Sequence, residues 1–273
     1  MTQRLAVHST GPVGAPDVVL LHAIATSSAM WAMQVPILSR RFRVHAIDLP
    51  GYGASAGLDG RTDGLAGYAD TVVATLDALD IRSAMIVGVS FGGMIAQRMA
   101  IDHSPRVRAL VLAHCGARTT PIVSTLWDER WAAAEVTGMP GQVDATLARW
   151  FTPAFQEASP QVMAWVSDMI TQTPPDAYRA SIRAIQQLDH VEALSQVRVP
   201  TLCIAGSADA ATPVDAAKAL AACVPGSALH VLDGAPHLAA IETPHAFTEA
   251  VLAFLCDRAP ACESRGANSR TVP

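Results

Sequence analysis

The five cysteines, Cys115, Cys203, Cys223, Cys256 and Cys262, are odd in number and contain no C-x-x-C pair. Neither a disulfide framework nor a zinc site is expected from them, and small buried thiols are the simpler reading. Long hydrophobic runs are also missing. No stretch approaches the roughly 18 apolar residues of a membrane span, and the amino-terminal MTQRLAVHSTGPVG lacks the apolar centre of a secretory signal. A cytoplasmic protein with no membrane partner is the expectation. There is no excess of positive charge. The formal net charge is −5 and the pI is about 5.9, which gives no electrostatic footprint for nucleic acid. No internal repeat is found, so solenoid and propeller architectures drop out.

What the chain has instead is apolar content in short, regularly spaced pieces. Of 273 residues, 51% are hydrophobic and 16% charged, the balance of a folded chain with a sizeable core rather than a disordered one. The runs 17–22, 41–48, 83–89, 107–115, 201–207 and 227–233 each read as a buried parallel strand. Helical patterns at 67–80, 93–103 and 213–224 separate several of them. Alternation of this kind predicts an α/β fold with a doubly wound, mostly parallel sheet and right-handed crossovers.

The alternation stops between about 118 and 195. This segment carries Trp127, Trp131, Trp150 and Trp165 and is punctuated by TGMPG, FTP and TPP. It reads as a helical cap (118–195) inserted into a core formed by 1–117 and 196–256, lying over the carboxyl ends of the strands, where ligands bind in open α/β sheets. The remainder, 257–273, loses its periodicity and reads as a poorly ordered tail.

One short stretch carries the chemistry. GVSFGG, residues 88–93, places a serine between glycines where a strand pattern becomes a helix pattern. A glycine-rich turn is a common feature of α/β proteins, so the alternative is simply a turn. The other reading is a nucleophile elbow, with Ser90 on a strained turn and Gly88 and Gly92 small because backbone passes close to them. That reading requires a base, an acid and oxyanion donors elsewhere. His237, in the loop DGAPHLAAIETP just past a strand, is the candidate base, whereas His230 lies inside the strand pattern and reads as a satisfied structural histidine. Asp209, at the end of the run TLCIAGS, is the candidate acid, and Asp215 reads better as a first-turn helix carboxylate. The order Ser90, Asp209, His237 is the order of α/β-hydrolases among the serine-hydrolase folds. The backbone N–H groups of Phe91 and Ile24, with Ala25 as the alternative to Ile24, are the candidate oxyanion donors. His22 reads as a brace for the loop that carries Ile24.

Through LLHAIATSSAMW, DLPGYGAS, GVSFGGMIAQ, PTLCIAGSADAATP and GAPHLAAIETP, the chain resembles the α/β-hydrolase superfamily from about residue 5 to 256. The cap runs MPGQVDATLARWFTPAF and TPPDAYRASIRAI resemble those of 3-oxoadipate enol-lactonases of aromatic catabolism. Two places depart from the superfamily pattern: Ala23 stands where a glycine is common, and HCGARTTP (114–121) is unusual. The resemblance implies a cofactor-free, metal-free serine hydrolase acting on a small carboxylate-bearing lactone or ester. Arg130, Arg149, Arg179 and Arg183 are the cap cations that could meet such a carboxylate, and Trp131 is the candidate aromatic pocket wall. Three alternatives stay open at this point: a carbon–carbon bond hydrolase, a perhydrolase or esterase on the same triad, and a noncatalytic receptor for a small ligand. Self-association into a homo-oligomer is left open.

Overall fold

The computed structural model describes residues 5–57 and 63–259. Seven strands form one sheet: β1 (Val7–Thr10), β2 (Asp17–Leu21), β3 (Arg43–Ile47), β4 (Ala84–Val89), β5 (Val107–Ala113), β6 (Thr201–Gly206) and β7 (Ala228–Leu232). Their spatial order is β1-β3-β2-β4-β5-β6-β7, with β1 antiparallel to β3 and every other pair parallel. The order reverses between β2 and β4, so the crevice beyond those two strands is the switch point where open α/β sheets place ligands.

Every residue of β4 and of β6 is buried. Because successive side chains point to opposite faces, that burial means both faces of the central sheet are covered, and it explains why these strands read as continuous apolar runs rather than alternating ones. The strand at 227–233 does not share this environment. In β7 the first four residues are exposed, His230 among them, because the strand is the sheet's edge and has a neighbour on one side only. His230 is therefore a surface residue and not a satisfied core histidine. The antiparallel edge strand β1 is absent from the sequence reading, since four residues of the pattern VHST carry almost no hydrophobic signal.

The helices are α1 (Val35–Leu38), α2 (Gly64–Ala78), α3 (Phe91–Asp102), α4 (Pro121–Thr137), α5 (Val143–Trp150), α6 (Pro153–Ala158), α7 (Pro160–Gln172), α8 (Pro175–Gln186), α9 (Val191–Leu194), α10 (Val214–Cys223), α11 (Ala239–Glu242) and α12 (Pro244–Arg258). Helices α4 to α9 all fall between β5 and β6. Four of them, α4, α6, α7 and α8, start on a proline. Proline is preset for the first helical turn and has no N–H to leave unpaired there, so the segment is cut into short helices joined by tight turns. Thr120 and Thr152 cap α4 and α6 by accepting the N–H groups of Val123 and Phe155. The helix α12 continues through Asp257 and Arg258, so the periodic part of the chain reaches two residues past the expected boundary; the rest of the expected tail, from 260 onward, lies outside the described residues. Among the described residues no helix is long and apolar enough to cross a membrane.

Candidate active site

Ser90 sits between β4 and α3 with φ 53° and ψ −115°, a left-handed backbone that a non-glycine residue rarely adopts. The glycines around it are required by crowding. A Cβ on Gly92 would collide with the Leu21 carbonyl oxygen, and one on Gly88 with the Gly92 carbonyl oxygen. The turn is pinned by the Ser90 N–H, which donates to the Ala113 carbonyl at 2.8 Å. Among the described residues only four non-glycine residues have positive φ, and three of them, Ala25 (55°), Ser90 (53°) and His114 (54°), stand at the carboxyl ends of neighbouring strands. Strain concentrated in this way marks a site whose geometry is held by its surroundings.

Asp209 follows β6 and His237 follows β7, and both are buried. His237 Nδ1 lies 2.9 Å from Asp209 Oδ2 and 3.1 Å from Oδ1. Oδ1 also accepts the backbone N–H groups of Ala211 (2.8 Å) and Thr212 (2.7 Å). Asp215, the competing acid, is exposed and pairs with Lys218 at 2.9 Å. A further partner was not foreseen: His114, at the end of β5, places its Nδ1 2.9 Å from Asp209 Oδ2. Burial alone would raise the Asp209 carboxyl, but the charge of His237 and the hydrogen bonds from His114 and His237 outweigh it and hold the group well below the usual carboxylate range. Burial lowers His114 against the opposing pull of Asp209, so its ring is neutral. His114, Asp209 and His237 lie within 4.8 Å of one another. Both ring nitrogens that face the carboxylate sit at hydrogen-bond distance from it, which makes the trio a hydrogen-bonded chain rather than a ligand set around a central ion.

Ser90 and His237 line the same cavity, of about 210 Å³. Among the described residues the Ser90 hydroxyl has no hydrogen-bond partner, so it is free to turn toward a ligand; such contacts commonly tighten only when substrate is bound. The N–H groups of Ile24 and Phe91 likewise have no protein acceptor among the described residues. Phe91 is the first residue of α3, where the helix dipole adds positive potential. The Ile24 loop is braced by His22, whose Nε2 accepts the Leu49 N–H at 2.9 Å while its Nδ1–H donates to the Ala23 carbonyl at 2.8 Å. Burial brings His22 down to about 4, consistent with this neutral, two-bonded ring.

From the cap side the cavity is lined by Trp127, Arg130, Arg149, Trp150 and Tyr178. Trp131 is not a wall of it. That ring packs under the Arg179 guanidinium at 4.9 Å, and neither Arg179 nor Arg183 reaches the cavity. Val123, Leu126, Trp127 and Arg130 recur at steps of three and four and form the cavity-facing stripe of α4; Trp131, four residues after Trp127, stands about 40° beyond it on the flank of that stripe, where it meets Arg179 instead of the cavity. Arg118 also lines the cavity but is paired with Asp189 at 3.0 Å. Arg130 and Arg149 have no acidic partner among the described residues. Arg130 stacks on Trp127 at 4.4 Å, and Arg149 donates to the Thr146 hydroxyl at 3.0 Å. Burial, reinforced by the charge of Arg130, brings Arg149 down to about 10, and burial lowers Arg130 as well. Both remain cationic near neutral pH.

With this geometry in place, comparison with known proteins is decisive for the family. The profile of the alpha/beta hydrolase fold matches residues 16–244. The chain belongs to the alpha/beta hydrolase family. Among its relatives, 3-oxoadipate enol-lactonase 1 of Acinetobacter baylyi is 30% identical over 93% of this chain and 93% of the relative. A pimeloyl-[acyl-carrier protein] methyl ester esterase of Nitrosomonas europaea is 31% identical, covering 89% of this chain and 96% of the relative. The crystal structure of the enol-lactonase from Burkholderia xenovorans superposes with a TM-score of 0.87 at 32% identity, covering 92% of this chain and 96% of that one. An alpha/beta hydrolase with both lactonase and esterase relatives at equal distance must have its substrate argued from its own cavity.

Proposed function

We propose that this alpha/beta hydrolase cleaves a small lactone or ester bearing a free carboxylate, an enol-lactone of aromatic catabolism being the best fit, through an acyl-enzyme on Ser90. The observation that carries the reading is the pair Arg130 and Arg149, two half-buried guanidiniums that face the Ser90 cavity without an acid to neutralise them. Desolvated cations without a partner are costly unless a ligand anion completes them. The enol-lactonase relatives support the same substrate class.

In this reading Ser90 Oγ attacks the acyl carbon as His237 accepts its proton, and Asp209 holds the imidazole in the required tautomer and stabilises the imidazolium. The N–H groups of Ile24 and Phe91 receive the developing oxyanion. The imidazolium then protonates the departing enolate or alkoxide. A water activated by the same histidine attacks the acyl carbon, the Ser90 bond breaks, and the serine recovers its proton. Every step uses side chains and backbone of this chain in the cytoplasmic setting expected for it.

Enol-lactone hydrolysis followed by ultraviolet absorbance tests the proposal. Arg149→Met should raise KM for the lactone about tenfold or more, the scale of a lost charge-assisted hydrogen bond, and leave a neutral aryl ester nearly unaffected. Fast turnover of neutral esters with no hydrolysis of carboxylate-bearing lactones would sink the substrate class and leave the hydrolase family standing.

A further inference from the structure

Asp209 Oδ2 is shared. It lies 2.9 Å from the Nδ1 atoms of two different histidines, His237 from the loop after β7 and His114 from the end of β5. The second histidine is fully enclosed, held at φ 54°, and its own N–H donates to the Ile204 carbonyl at 2.8 Å. Its ring stacks on Phe247 and meets the His237 ring edge-on, at centroid distances of 6.4 and 5.9 Å. Its Nε2 is buried with no hydrogen-bond partner. A ring placed only to fill space against Phe247 would do better without polar atoms, because a buried acceptor left unpaired is a net cost. The one polar contact that this ring makes is with Asp209, and it requires the Nδ1–H tautomer with a bare Nε2.

We propose that His114 is a positioning residue of the triad: its Nδ1–H fixes the Asp209 carboxylate against His237 and draws off part of its negative charge, weakening the hold of Asp209 on protonated His237. The two backbone donors fix Oδ1, so without His114 the other oxygen would be oriented by His237 alone, the group that must change charge during turnover. A donor that does not change charge keeps the carboxylate in place while His237 cycles. Sharing the negative charge also leaves His237 easier to deprotonate, so the base form persists to lower pH. Among the described residues, the other titratable or charged groups that line the same cavity as His237 are Arg118, Arg130, Arg149 and Tyr178, and these stay the same when His114 is changed.

The inference rests on the triad reading of Ser90, Asp209 and His237, and it fails separately from it: loss of the triad reading would appear as full turnover in a Ser90 variant, whatever His114 does. The test uses p-nitrophenyl acetate as a neutral probe. His114→Leu, which removes the donor, should move the acidic limb of kcat/KM upward by about half a pH unit or more and lower the plateau kcat roughly tenfold. His114→Asn, whose amide can donate from nearly the same place and whose backbone tolerates positive φ, should restore the limb to within a few tenths of a unit of the wild type. A purely structural role predicts equal plateau losses in both variants with the limb unmoved, and that result would overturn the proposal. Nitrogen-15 and proton spectra of the unmodified protein give a second check that needs no variant. Two hydrogen-bonded Nδ1–H signals, one from each histidine, are expected, and an Nε2–H tautomer at His114 would refute the inference.

Discussion

At the strand ends, Ser90, Ala25 and His114 are held at positive φ and Asp209 accepts four donors, whereas in the cap Arg130 and Arg149 face the same cavity with no acidic partner. The first set is fixed by the protein itself, through crowded glycines and converging hydrogen bonds. The second has no acidic partner among the described residues, and in the proposed reading a ligand supplies it. The contrast separates two regions by how each is completed, and in the proposed reading bond cleavage belongs to the preorganised strand ends and choice of substrate to the side chains of the helices between β5 and β6.

The strongest way to break that comparison is at Ser90. Ser90→Ala should reduce turnover of every substrate on the order of 10³-fold or more with an unchanged melting temperature, because alanine fits the elbow and, among the described residues, no other serine and no cysteine lines the cavity. Near wild-type rates on any ester would end the division proposed between strand ends and cap. Asp209→Asn should lower kcat by roughly 10³-fold while KM moves little, since the amide favours the wrong imidazole tautomer. Asp215→Asn, on an exposed pair with Lys218, should do almost nothing, and a reversal of these two outcomes would show that the acid had been misplaced.

A smaller effect, on stability rather than rate, sharpens the same comparison. His22 beneath the oxyanion loop and His190 at the start of α9 are both lowered to about 4, each mainly by burial. An unfolded histidine titrates near 6.5, so between about 6.5 and 4 the unfolded chain binds more protons than the folded one. Their contribution is therefore complete above pH 6.5 and is lost as pH falls toward 4, by on the order of 1–3 kcal/mol for each ring. Urea titrations at pH 7 and pH 5 should show this loss, and His190→Gln should flatten it in part. A stability that does not change over that range would mean that these rings are not buried neutral groups. The least of the expected changes is the roughly tenfold rise in KM for Arg149→Met, because it removes a single charge-assisted contact.

Much of the fold was legible because the central strands β2 to β6 are covered on both faces, which leaves nearly unbroken apolar runs, and the exposed edge strand β7 was legible from its pattern SALHVLD without that burial. The missed strand, β1, is an edge of four residues in which burial supplies no pattern. The places of Ser90, Asp209 and His237 in the fold were legible for a related reason: each sits past a strand, in a turn whose glycines and prolines are visible as composition. The segment HCGARTTP stood out as unusual without revealing its role. The adjacency of β5 and β6 sets His114 beside Asp209, a juxtaposition that no local signal in HCGARTTP carries.

By itself, then, the sequence determined the candidates, because a serine elbow, a strand-end carboxylate and a loop histidine follow from residue type and from position relative to short local elements. The tertiary structure alone decided which of them meet. That Asp209 answers to two imidazoles depends on pairing strands separated in sequence by the entire cap, and no local pattern records such a pairing. That Arg130 faces the cavity while Trp131 turns away to Arg179 depends on the rotation of α4 against its neighbours, a difference of 100° per residue set by packing.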